Sequence, residues 1–150
     1  MKSARALPFP VVCLLWAGIL IGISFIESPV KFRTPTLTRT VAFDVGRTVF
    51  HASQLVQVGL GVLALGAALL GRVPRGASAC LGAAYAALLL QVVWIFPELD
   101  ARAQVLISGG IPTGPSHHAL YAILEVVKLL ALIVAAVLAL ESPRRVGMSA

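Results

Sequence analysis

Residues 120–140 form an apolar run with two charges written into it, Glu125 and Lys128. A run of roughly 20 apolar residues is the length of a helix that crosses a bilayer. An ionisable side chain at the centre of such a helix costs roughly 2.5–3.5 kcal/mol on insertion scales, so it faces a bundle interior and finds a partner there. At about 100° per residue, His117, His118, Tyr121, Glu125 and Lys128 fall in a sector of roughly 100°. The opposite face is Leu, Ile, Val and Ala. The chain must cover that stripe with other helices.

Composition agrees. Hydrophobic residues make up 59% of the chain and charged residues 12%, against roughly 45–50% and 25% in soluble domains. A water-soluble core cannot hide that much apolar sequence in 150 residues, which is the length of one compact domain. The fold class predicted is all-α, an integral membrane four-helix bundle with the lipid bilayer as its first partner. Its spans are expected at about 9–26, 45–70, 77–96 and 118–140. The net charge is +6, but the Lys and Arg residues sit at the ends of apolar runs rather than in a stripe with aromatics, which argues against nucleic acid. Cys13 and Cys80 lie inside apolar runs without metal or CxxC spacing and read as free thiols.

Taken in order, Lys2 and Arg5 precede the first run, which could be a signal peptide cut near Gly22-Ile23-Ser24. Its length and the Gly18-xxx-Gly22 packing pattern favour a retained span. The second span opens with Asp44, Arg47 and His51 at i, i+3 and i+7, one helix face, and then becomes small and apolar around Gly59, Gly61 and Gly66. The third ends at Pro97. Residues 98–107 then read as a short amphipathic helix at the surface, and Ser116 as the N-cap of the fourth span. Four spans put both termini on one side. That side carries Lys2, Arg5, Arg72, Arg75, Arg144 and Arg145, and the other Lys31, Arg33, Arg39, Arg47 and Arg102. The count is six against five, and the long loops 27–44 and 97–117 are the segments expected to be translocated. By the positive-inside rule these two features predict both termini cytoplasmic in a cell inner membrane. The loops 27–44 and 97–117 are then non-cytoplasmic.

All four spans are polar at that same loop end, which predicts a polar cup lined by Glu27, Asp44, Arg47, His51, Glu98, His118, Tyr121, Glu125 and Lys128. Three readings follow. Glu27, Arg47, Glu125 and Lys128 can form a charge network that only sets helix packing, alone or as a subunit of a larger membrane complex. His51 and His118, with the carboxylates, are ligand types for a metal or haem, although no Glu-x-x-His or His-x-x-x-His pair is present. The cup can also bind a small molecule, lipid or quinone, since intramembrane ionisable groups mark function. No phosphate loop, serine elbow or HExxH motif points to a reaction.

Ser24-Phe25-Ile26-Glu27-Ser28-Pro29-Val30-Lys31-Phe32, Asp44-Val45-Gly46-Arg47-Thr48-Val49-Phe50 and the run 118–128 resemble a group of small four-span bacterial membrane proteins of unknown function. The resemblance implies the topology and loop placement, and no activity.

Overall fold

A computed structural model describes residues 8–71 and 73–142. Among these the chain is helical, with four helices long and apolar enough to cross a membrane: α1 (Pro8–Lys31), α2 (Arg39–Leu70), α3 (Arg75–Ile107) and α4 (His118–Glu141). Of the residues that set the expected topology, Lys2, Arg5, Arg72, Arg144 and Arg145 lie outside the described residues.

α4 packs between α1 and α3, while α2 lies against α1 and against the C-terminal part of α3. The lower half of the interior is apolar: Phe9, Cys13, Trp16 and Leu20 of α1 meet Ala64 of α2, Leu81 and Leu88 of α3, and Leu132, Ala135 and Ala136 of α4. Small residues let the backbones approach closely. Gly61 is one such contact, for a methyl group there would stand 3.2 Å from the Tyr85 ring and 3.5 Å from that of Trp16. A Cβ added at Gly18, Gly22, Gly59 or Gly66 would meet nothing within 4 Å, so no close approach within this chain requires glycine there. Leu15, Leu55, Leu69, Leu89, Val93 and Leu130 point outward and are exposed.

Local chemistry explains the helix ends. Thr38 caps α2, its hydroxyl accepting from the Val41 N–H at 3.4 Å, and the Gly71 N–H closes the other end on the Ala67 carbonyl. The fourth helix starts at His118 with His117, rather than the expected Ser116, at its N-cap and no side-chain cap bond. Ser116 stands one residue further out, its Oγ accepting from the His118 N–H at 3.4 Å. Between α3 and α4, Gly109 and Gly114 take φ values of +80° and +81°, which side chains with a Cβ rarely adopt.

Two prolines behave differently from expectation. Pro97 does not end the third helix, which runs on to Ile107, so residues 98–107 are its continuation and no separate surface helix. Pro29 likewise sits inside α1. Each follows a π-helical stretch, Ile21–Glu27 in α1 and Gln91–Ile95 in α3. There the Ser28 N–H reaches back five residues to the Ile23 carbonyl, and the Phe96 N–H to that of Gln91. A proline cannot donate to its i−4 carbonyl and clashes with it. A wider preceding turn moves that carbonyl aside and lets the helix continue.

The continuation decides the shape of one end. α2 and α3 have 32 and 33 residues, α1 and α4 only 24 each. The surplus, roughly 12 Å at 1.5 Å per residue, lies in the first turns of α2 and the last turns of α3. These face each other beyond the ends of α1 and α4.

Candidate functional site

Glu125 and Lys128 stand at i, i+3 on α4 and are 1% and 0% exposed. Lys128 Nζ lies 2.7 Å from Glu125 Oε1. That oxygen also accepts from Gln91 Nε2 of α3 at 3.0 Å, while Oε2 accepts from Ser24 Oγ of α1 at 2.7 Å. Lys128 donates to Gln57 Oε1 of α2 at 2.5 Å, and the same oxygen takes the Trp16 indole N–H at 3.3 Å. One ion pair therefore touches all four helices. Ser24 and Gln91 both come from the π-helical stretches, so each wide turn delivers one hydrogen bond to the same carboxylate.

One turn above lies Tyr121, 4% exposed. Its hydroxyl accepts from Gln54 Nε2 at 3.2 Å and its backbone carbonyl from Gln91 Nε2 at 3.1 Å. Tyr121 is the floor of a cavity of about 330 Å³ enclosed by the α2/α3 overhang and the adjoining ends of α1 and α4. Its walls are Phe32, Phe43, Phe50, Phe96, Leu99 and Leu106, and its polar lining is Lys31, Arg47, Asp100, Arg102, Ser116 and His118.

Asp100 ties the overhang together. Its Oδ1 takes Arg47 Nε at 2.7 Å and His51 Nε2 at 2.8 Å, and its Oδ2 takes Arg47 Nη2 at 3.3 Å and Gln104 Nε2 at 3.0 Å. Arg102 Nη1 donates to the carbonyls of Thr113 and Gly114 at 2.9 and 3.0 Å, which fastens the loop before α4. Glu98 pairs with His117 Nδ1 at 2.6 Å and accepts from Trp94 Nε1 at 3.0 Å. Lys31 pairs with Glu27 at 3.2 Å on α1.

The expected site residues thus divide into separate groups. Arg47, His118 and Tyr121 line the cavity; Glu27, Asp44, His51, Glu98, Glu125 and Lys128 do not. Glu27, Arg47, Glu125 and Lys128 form no single network: Glu27 goes to Lys31, Arg47 to Asp100, and Glu125 to Lys128. Asp44 is exposed and makes no ion pair among the described residues; its backbone carbonyl accepts from Thr48 Oγ1 at 3.1 Å. His51 is held by Asp100, and His118 stands apart from it at the cavity edge. Among the described residues no group of three or more His, Cys, Asp or Glu side chains is gathered as a metal would require. Cys13 and Cys80 are free thiols.

Among the residues that sequence reasoning did not place at the site are Ser24, Lys31, Gln57 and Asp100. Lys31 and Asp100 follow Pro29 and Pro97, where the helices were expected to have ended. Ser24 and Gln57 enter through contacts between helices, which no spacing within one helix reveals. We expect Asp100→Ala to lower stability by about 1–3 kcal/mol, the usual cost of unpairing partly buried groups from a charged acceptor. Amide exchange should then quicken over 96–107 before any other part of α3. Uniform exchange along α3 would show that Asp100 does not fasten this segment.

Comparison with family models, with curated proteins and with solved structures gives no match.

Proposed function

We propose that this chain is a multi-pass integral membrane protein, a four-helix bundle in a cell inner membrane with both termini cytoplasmic. Its function is to hold an amphiphilic small molecule, a lipid or a quinone, in the cavity at the non-cytoplasmic end. The membrane placement is supported by four helices of spanning length and composition whose outward faces carry exposed Leu, Val and Ile. The observation that carries the functional reading is the cavity itself. About 330 Å³ lies at the lower end of the range for small-molecule sites, which are mostly apolar with a few convergent polar groups. Here aromatic walls stand beside Lys31, Arg47 and His118.

The interior ion pair belongs to the architecture rather than to binding. Every oxygen of Glu125 is hydrogen-bonded within the protein, and neither member lines the cavity. The carboxylate is fully bonded, although Gln91 Oε1 and Gln54 Oε1 are buried without a partner among the described residues. A buried ion pair tied to every helix in this way fixes how helices register.

Ala103 of α3 lines the cavity and is only partly buried, so Ala103→Trp should fill the space without a core rearrangement. Protein purified from its native host in mild detergent is expected to yield about one equivalent of an amphiphile on solvent extraction. One equivalent is the yield of a single occupied site. Ala103→Trp, folded to the same yield, should release about a tenth of that or less, the loss expected when a site is blocked. Equal amounts from both proteins, or none from either, would sink the binding reading.

A further inference from the structure

The cavity wall has a sign. Among its charged residues are three cations, Lys31, Arg47 and Arg102, and one acid, Asp100. Both Asp100 oxygens already carry hydrogen bonds. Of the three, Lys31 is the most completely withdrawn from solvent, at 8% exposure. Its ammonium sits 5.2 Å from the centre of the Phe50 ring and 5.6 Å from that of Phe32. Its carboxylate partner, Glu27, is 29% exposed on the same helix and lies outside the cavity lining. Space for that ammonium is cut into α2 at Gly46, where a Cβ would stand 2.6 Å from Lys31 Nζ. Arg47, one residue on, leaves its Nη1 without a partner among the described residues.

We propose that the cavity selects a single-chain amphiphile with an anionic oxygen head, and that Lys31 receives that head. This rests on the amphiphile-binding reading above. The volume supports one chain: a site of about 330 Å³ is small for a drug-sized ligand and smaller still for a two-chain lipid. Charge complementarity supports the head. An ammonium carries three donors, and the one carboxylate that Lys31 meets is the half-buried Glu27 at 3.2 Å, which a more deeply held anion can replace. With the head on Lys31 and Arg47, the tail lies along the phenylalanine walls toward Tyr121.

The test compares oleate with oleyl alcohol, identical in chain and different in head, on the full-length protein in mild detergent by native mass spectrometry, with phosphatidylglycerol as a third probe. The native sequence should prefer oleate over the alcohol by about tenfold or more, ~1.4 kcal/mol. Lys31→Met should reduce the preference to about twofold or less while the alcohol still binds, since only the charged contact is gone. Gly46→Ala keeps the charge but pushes the ammonium off the wall, and should lower oleate affinity in the same direction with the fold intact. That variant keeps the proposal testable if Lys31→Met does not fold. Preference for oleate that survives both changes overturns the assignment of Lys31. Uptake of phosphatidylglycerol with oleate excluded overturns the single-chain assignment. Equal binding of oleate and alcohol, both blocked by Ala103→Trp, leaves the cavity as a site and removes the anionic head. Binding of neither probe removes the cavity reading itself.

Discussion

Glu125→Leu is expected to cost on the order of 3–5 kcal/mol of fold stability, because it leaves Lys128 charged and buried with no counter-ion. Lys128 is 0% exposed, and Gln57 Oε1 would be its one remaining acceptor. Lys128→Met should cost a comparable amount by stranding the carboxylate, softened by Gln91 and Ser24, which still donate to it. A lone buried ion also neutralises itself by gaining or losing a proton, which caps the penalty in both cases. The double change Glu125→Leu with Lys128→Met should recover much of the loss, since an apolar pair of similar volume commonly replaces a buried ion pair at little cost. Recovery is incomplete because Gln91 and Ser24 lose an acceptor, at roughly 1–3 kcal/mol for an unmet buried group. Chemical denaturation of all four proteins in one detergent measures the cycle. Single variants as stable as the parent would show that the two charges are not coupled.

Trp16→Ala should be comparably damaging, about 3–5 kcal/mol for a large aromatic removed from a packed core. Trp16 is 0% exposed, meets Tyr85 edge-on with ring centroids 6.1 Å apart, and donates to the same Gln57 oxygen that receives Lys128. Trp16→Phe separates the two contributions. It keeps most of the ring and loses the N–H, so about 1 kcal/mol is expected. A phenylalanine variant as unstable as the alanine variant would mean that the indole hydrogen bond, rather than the volume, holds this level of the bundle together.

The four apolar runs, the inward stripe of α4 and the separation of polar and apolar ends could all be read from residue order, because hydropathy and 3.6-residue periodicity act locally. The i, i+3 relation of Glu125 to Lys128 was legible for the same reason. The ends of α1 and α3 were not. Pro29 and Pro97 carry the ordinary signal of a helix stop, and a π-helical stretch before each overrides it. That single misreading put Lys31 in a loop and Asp100 on a detached surface helix, and hid the overhang that forms the cavity. His51 and His118 were paired by ligand type, which says nothing of where each points around its helix. One is held by Asp100 and the other stands at the cavity edge.

The downward succession of polar groups, from Arg47 and Asp100 through Tyr121 and Gln91 to Glu125, Lys128 and Gln57, stops at Trp16. Beneath it the interior is Cys13, Leu132, Ala135, Ala136 and Phe9. A hydrophilic solute or a proton needs stepping stones at every depth to go from one end to the other, and the described residues packed beneath Trp16 are apolar. Among the described residues the polar succession therefore opens toward one end of the bundle only, and its other end is closed by packed apolar side chains.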